Sequence, residues 1–277
     1  AFVVPWQGAA LIGTTDTEWA GPAEPHPAAA ASDVSYLLDH AGRFLTVRLG
    51  AADVLSAFAG LRPLLTASRA ASTARLSRRH AIFDGPPGFI TITGGKLTTY
   101  RRMAEDVMNH ALGLPSGTPS PTRDLPLDGA DGLMRAVPML RARARSGGVN
   151  ARTLRHLLRA YGTRAARVLD LIADTPALGA LLAAGHPHLA AEVVLAVREE
   201  SAVTVEDVLL RRMRLGHLLP DQGRGAAAAV ASLMAAALGW SAADEAEQAA
   251  AYRQSAAALA PALPGRPAAR QESPAPP

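Results

Sequence analysis

Of the 28 basic residues in the chain, 27 are arginine and one is lysine. That lysine, Lys96, lies in Gly94-Gly95-Lys96-Leu97-Thr98-Thr99, between an alternating run (Phe89-Ile90-Thr91-Ile92-Thr93) and a helical pattern. A helix start presents unpaired amides and a partial positive charge. Two glycines let a ligand approach the backbone closely, and an ammonium adds a compact, mobile charge. The set suits an anion, or a cofactor ring that becomes negative on reduction. It equally suits a glycine turn that merely packs a strand on a helix.

Other candidates are weaker singly. Arg62, in Ala59-Gly60-Leu61-Arg62-Pro63-Leu64, ends an apolar run and is stiffened by the following proline. Its guanidinium suits an oxyanion through a fork of hydrogen bonds, or an ordinary ion pair. Arg78, in Ser77-Arg78-Arg79-His80, reads locally as a solvated basic turn, and His80 as an acid–base group or a satisfied side chain. Thr14-Thr15-Asp16 reads as an Asx-type turn or a polar wall. His186 and His188 flank a proline with no third ligand at metal spacing, so no zinc is expected. Arg211, Arg212 and Arg214 read as partners of Glu192, Glu199, Glu200, Glu206 and Asp207 in inter-helix ion pairs.

The elements that must position these residues fall into compositional regions. Residues 1–112 mix short apolar runs with turns and helices. Strands are predicted at 2–5 and 10–14 about a Gln7-Gly8 turn, at 54–61, at 81–83 and at 88–93. Helices are predicted from an N-cap at Ser32 to about 44, and over 98–112 with Met103, Ala104, Val107 and Ala111 on one face. Residues 113–133, rich in Pro, Gly, Ser and Thr, read as a linker. Residues 134–260 read as five or six helices, including one that Glu192 begins and one over 205–215 opened by a Thr204–Asp207 capping box. The proline-rich tail, 261–277, reads as disordered.

Composition narrows the classes. The chain has 277 residues, 49% of them hydrophobic, enough for a sizeable core. With no cysteine, a thiolate nucleophile, a disulfide scaffold and Cys-ligated metal sites are excluded. No apolar run reaches the length of a membrane helix; the nearest, 226–240, is rich in alanine. The net charge is +4, but the arginines do not form a run and aromatics are only 4%, so nucleic acid is not an expected partner.

Taken together, the motifs resemble a known family. Phe2-Val3-Val4-Pro5-Trp6, Ile12-Gly13-Thr14-Thr15-Asp16-Thr17, Tyr36-Leu37-Leu38, Asp53-Val54, Gly60-Leu61-Arg62-Pro63-Leu64, Ser77-Arg78-Arg79-His80 and Thr93-Gly94-Gly95-Lys96-Leu97-Thr98-Thr99-Tyr100-Arg101 follow in order. This is similar to the FAD-dependent, quinone-linked glycerol-3-phosphate dehydrogenases, within the D-amino-acid-oxidase-like flavoproteins. The resemblance continues through Ala191-Glu192-Val193, Glu206-Asp207-Val208-Leu209-Leu210-Arg211-Arg212 and Leu238-Gly239-Trp240. It implies an α+β or α/β fold: a partial substrate sheet with the last strand and helix of the cofactor domain, then an all-α C-terminal domain.

The family binds FAD through an N-terminal strand–G-x-G-x-x-G–helix, and no such pattern occurs here. The chain is therefore expected to be the C-terminal part of such an enzyme, as a fragment or a truncated product. The resemblance implies oxidation of glycerol 3-phosphate at C2 to dihydroxyacetone phosphate, with hydride passing to FAD and electrons to a quinone. Arg62 and Arg78 would bind the substrate's oxygens and phosphate, and Lys96 would place charge near the reacting carbon. Gly94, Gly95, Lys96, Leu97 and Thr98 would border the flavin. The general base would lie upstream of Ala1, with His80 in reserve. A cytoplasmic location is implied, peripheral on an anionic inner membrane, with a homodimer as a further expectation. Gly42, Trp19 and Arg79 depart from the family pattern and bear on substrate identity. The competing readings are a non-catalytic relic or interaction module, and another FAD-dependent oxidoreductase of hydroxy or amino substrates.

Overall fold

The computed structural model describes residues 1–19, 21–22, 27–62 and 80–261. Arg78 and its neighbours Ser77 and Arg79, Pro63 and Leu64 of the arginine–proline motif, and the tail beyond 261 lie outside the described residues. The chain divides into two units that do not follow linear order: Ala1–Asp16, Pro25–Ala59 and Asp128–Pro277 in one, Thr17–Glu24 and Gly60–Leu127 in the other. The described residues are mostly helical, with two small sheets.

The first unit opens with an antiparallel hairpin, β1 (Phe2–Trp6) and β2 (Ala9–Gly13), in register Phe2↔Gly13 to Trp6↔Ala9. Gln7 (φ 48°) and Gly8 (φ 88°) make the two-residue turn whose twist matches that of the strands. Helix α1 (Ala31–Gly42) buries Val34 and Ala41. Its N-cap is Ala30 without a side-chain cap, not Ser32, which lies inside the first turn. Asp33 in that turn complements the helix dipole instead.

The strand predicted at 54–61 does not form. Its polar groups find helical partners: the Ala57 amide donates to the Leu259 carbonyl (2.9 Å), the Leu55 carbonyl accepts from Gln222 Nε2 (2.8 Å), and Ser56 Oγ donates to the His217 carbonyl (3.1 Å). Satisfied in this way, an apolar extended segment needs no neighbouring strand.

Seven α-helices follow among the described residues: α3 (Leu133–Ser146), α4 (Ala151–Tyr161), α5 (Ala165–Asp174), α6 (Ala190–Glu200), α7 (Leu215–Leu218), α8 (Ala227–Leu238) and α9 (Ala242–Ala256). The four-residue α7 exceeds the five or six expected. Helix α6 is the centre, with every residue from Ala190 to Ala196 buried. On one side, Ala191 and Leu195 join Leu140, Leu157, Val168 and Ile172 from α3, α4 and α5. On the other, Val193 and Ala196 pack with Val208, Leu209, Val230, Met234 and Tyr252. Gly129 and Gly162 meet back to back, and a Cβ on either would strike the other strand of backbone. The alanine-rich 226–240 run is thus a core helix, and no described helix is long and apolar enough to cross a membrane.

The Thr204–Asp207 capping box forms, with Asp207 N donating to Thr204 Oγ1 (3.1 Å) and Thr204 N to Asp207 Oδ2 (3.0 Å). The helix it opens is not the predicted 205–215 α-helix. Asp207–Arg212 is π-helical, and Arg214 (φ 62°) turns the chain before α7. Arg212 reaches back to the Asp207 carbonyl (3.2 Å) and the Glu200 carbonyl (2.6 Å), which anchors the widened turn.

In the second unit, β3 (Ala81–Asp84) pairs antiparallel with β4 (Ile90–Thr93), Ala81↔Thr93 to Asp84↔Ile90. A 3-10 turn, Leu97–Thr99, then leads into α2 (Tyr100–Ala111). The residues of α2 that are fully buried are polar, Glu105 and Asn109, not the predicted apolar face; Ala104 and Ala111 are exposed. The predicted linker supplies their partners. Ser120 N donates to Glu105 Oε2 (3.0 Å), Asn109 Nδ2 donates to the Thr118 carbonyl (2.9 Å), and Leu114 N donates to the Asn109 carbonyl (2.8 Å). Residues 114–123 are a strap fastened to α2.

Candidate functional site

The β4–α2 junction has the local geometry that its sequence requires. Gly94 (φ 77°) and Gly95 (φ 76°) are both left-handed, a conformation costly for any residue with a Cβ. A Cβ on Gly95 would collide with Met103 Sδ and meet His80 Cβ at 3.3 Å. The second glycine therefore serves internal packing of the turn against β3 and α2. Lys96 is extended (φ −139°, ψ 153°) and exposed at the helix start, followed by Leu97, Thr98 and Tyr100, also exposed. Thr99 Oγ1 accepts from Lys96 N (3.2 Å) and donates to the Lys96 carbonyl (3.0 Å), closing the turn. Among the described residues the Leu97 and Thr98 amides have no partner, so the helix start keeps open donors beside the ammonium.

Gly94, Gly95, Lys96, Leu97 and Thr98 are consecutive and form the turn between β4 and α2. Arg62 is exposed, in an irregular stretch of the same unit, and Arg78 lies outside the described residues. Thr14 Oγ1 donates to the Thr15 carbonyl (3.0 Å).

Two histidine–carboxylate pairs were not legible as pairs. His80 Nε2 lies 3.0 Å from Asp106 Oδ2, and Arg102 Nε lies 3.1 Å from Asp106 Oδ1. His110 Nε2 lies 2.8 Å from Asp84 Oδ1. Both pairs are 26 residues apart, with the histidine on the strand side in one and on the helix in the other. That repeated spacing was the available signal. His80, Asp106 and His110, with Asn109 and Ser116, border a shallow cavity of about 290 Å³. Nearby, Glu105 accepts from Arg101 (2.8 Å) and Arg102 (2.5 Å). The Arg101 hydrogen bond, then that from the Ser120 backbone, hold its carboxyl below the usual range.

A second polar cluster is buried in the helical unit. Glu192 Oε2 lies 2.8 Å from His156 Nε2 and accepts from Tyr161 OH (3.0 Å), while Oε1 accepts from Leu189 N (2.7 Å). The His188 ring, 1% exposed, sits 4.2 Å from the His156 ring, and burial depresses its pKa to about 4. Glu192 thus pairs with histidine and tyrosine. The expected arginine ion pairs are distributed differently: Arg164 holds Glu199 and Glu200, and Arg211 holds Glu206 and Asp207 within its own segment.

The chain was compared with known proteins. Residues 120–245 match the family described as the C-terminal domain of alpha-glycerophosphate oxidase. Glycerol-3-phosphate dehydrogenase 2 of Mycobacterium bovis is 39% identical over 245 residues, which are 88% of this chain and 42% of that protein. The mitochondrial glycerol-3-phosphate dehydrogenase of Arabidopsis thaliana is 35% identical over 86% of this chain and 40% of its own length. The X-ray structure of the glycerol-3-phosphate dehydrogenase from Bacillus halodurans complexed with FAD superposes with a TM-score of 0.68 at 26% identity. That match covers 95% of this chain and 52% of the other. The chain spans about two-fifths of the length of the curated relatives it matches. It is a homologue of the FAD-dependent glycerol-3-phosphate dehydrogenases, corresponding to the C-terminal portion of those enzymes.

Proposed function

We propose that this chain forms part of an enzyme that oxidises glycerol 3-phosphate to dihydroxyacetone phosphate. The observation that carries this reading is the Gly94–Thr98 helix start, with an exposed ammonium and two open amides, in a homologue of enzymes named for that substrate. The residues present fit one border of a flavin: open donors and a positive charge suit an electron-rich ring. They do not supply a pyrophosphate cradle, for the chain has no G-x-G-x-x-G. When bound, FAD supplies the hydride acceptor, and a quinone accepts the electrons.

This chain's own residues then do the following. Lys96 places positive charge beside the substrate's C2 oxygen. The Leu97 and Thr98 amides stabilise negative charge at the helix start. Arg62 and Arg78 bind the oxygens and phosphate of the dianion through charge-assisted hydrogen bonds. Gly95, lacking a Cβ, lets Met103 and His80 pack under the turn that carries Lys96. The enzyme would work at the surface of an anionic bilayer, where its quinone resides.

The test is anaerobic mixing of the flavin-loaded polypeptide that contains this chain with glycerol 3-phosphate, and separately with glycerol. Loss of oxidised-flavin absorbance with the phosphorylated compound alone is expected. Reduction by both alike, or by neither, would overturn the substrate assignment.

A further inference from the structure

Two histidine–carboxylate pairs tie β3 to α2, one near each end of the strand. His80 precedes β3 and reaches Asp106 (3.0 Å); Asp84 ends β3 and meets His110 (2.8 Å). The pairs are unequal. The side chains of His80 and Asp106 are each 21% exposed, against 39% for His110 and 72% for Asp84. An exposed pair does little to hold two elements together, while a half-buried one is less screened. The inner pair also belongs to a network. Asp106 Oδ1 lies 3.1 Å from Arg102 Nε, Arg102 donates to Glu105, and Glu105 accepts from Ser120 N of the strap.

The inner pair lies against the turn that carries Lys96. The β3–β4 register, ending in Ala81↔Thr93, sets His80 across from Gly94. His80 Cβ is 3.3 Å from the place a Cβ on Gly95 would take, and the Met103 sulfur fills the same space. Asp106 stands six residues beyond Tyr100, where α2 begins. The turn is thus tied to β3 through β4, to Met103 by packing, and to the body of α2 through His80. Lys96, Leu97 and Thr98 are themselves exposed, and Thr99 closes the turn only locally, on the Lys96 amide and carbonyl. Donors aimed at developing charge are effective when their positions are set beforehand.

We infer that His80, acting through Asp106, is a positioning residue: it locks the Gly94–Thr98 turn to α2, so that the Lys96 backbone and the open Leu97 and Thr98 amides are in place before substrate arrives. The catalytic consequence rests on the function proposed above; the lock itself does not. The rival role for His80 is proton transfer, which needs an imidazole. Positioning needs only a donor to Asp106, and a glutamine amide supplies one.

The test compares His80→Leu, His80→Gln and His110→Leu. In the full chain without flavin, NMR follows hydrogen exchange at the Thr99 and Tyr100 amides, which donate to the Lys96 and Leu97 carbonyls. His80→Leu should speed this exchange about 10-fold, as expected for loss of a hydrogen bond to a charged group. His80→Gln and His110→Leu should stay near the parent. In the flavin-loaded polypeptide that contains this chain, His80→Leu should lower kcat for glycerol 3-phosphate by about 10- to 100-fold with KM within about twofold. His80→Gln should recover most of that loss. If His80→Leu loses its helical circular dichroism, Asp106→Ala takes its place in both arms. Parent-like exchange in the folded variant, or an equal rise in His110→Leu, would overturn the proposal. So would a kcat in His80→Gln as low as in His80→Leu, which would make His80 an acid–base group. If glycerol 3-phosphate fails to reduce the parent's flavin, the substrate assignment falls and the exchange arm alone decides the lock.

Discussion

Lys96 and Gly95 are neighbours with separable roles. Lys96 is exposed, so its loss should change chemistry and leave folding alone. Lys96→Met keeps the stem and removes the charge. In the flavin-loaded polypeptide it should lower kcat/KM for glycerol 3-phosphate by about 10- to 100-fold, the ~1.5–3 kcal/mol of a hydrogen bond to a charged group. Its thermal midpoint should match the parent's; a fall would move Lys96 among the structural residues. Gly95→Ala should do the reverse. Its left-handed φ of 76° and the Met103 sulfur leave no room for a Cβ, so a loss of more than about 1 kcal/mol is expected from denaturant midpoints.

The α2 element depends on a buried carboxylate. Glu105 is held ionised first by Arg101, then by the Ser120 backbone, and it fastens the strap of residues 114–123. Its folded pKa lies below the unfolded value of about 4.3. The contribution is therefore present above that value and is lost as pH falls through the lower, folded one. Glu105→Gln should remove this acid-side slope and expose the strap to limited proteolysis at neutral pH. A strap as resistant as the parent's would show that Asn109 alone suffices. On the α6 side, His188 gives a second titration. Burial keeps it neutral down to about pH 4, against 6.5 for the free side chain. The unfolded chain takes up the proton first, so stability falls as pH drops from 6.5 towards 4, by on the order of 3 kcal/mol. Facing it are His156, Glu192 and His186. His188→Leu should flatten the denaturant-midpoint profile in that window; an unchanged slope would assign it to the other groups.

Across the whole molecule, stability is unevenly distributed. The α6 core is sealed on both sides, with Val193, Val208 and Val230 fully buried. The β1–β2 hairpin, by contrast, leaves Phe2, Val3 and Val4 about two-fifths exposed. A two-stranded sheet with an open apolar face is marginal by itself. Native-state hydrogen exchange should therefore protect the α6 and α8 amides near the global limit, while β1 and β2 exchange through local opening. Equal protection of hairpin and core would mean that the hairpin's apolar residues gain a cover in solution, such as a second copy of the chain.

Some features were legible because local chemistry fixes them. The Gln7-Gly8 turn, the β3–β4 hairpin, the glycine–lysine helix start and the Thr204–Asp207 box each need only residues a few positions apart. What failed involved partners distant in sequence. The apolar 54–61 run looked like a strand, but Leu259 and Gln222 take its backbone groups. The proline-rich 113–133 run looked like a free linker, but Glu105 and Asn109 bind it. His80 and His110 gained roles from Asp106 and Asp84 across a hairpin and a helix. Propensity and spacing set which local elements form. Which polar groups are satisfied is decided by tertiary contacts that bring distant donors and acceptors within hydrogen-bond reach.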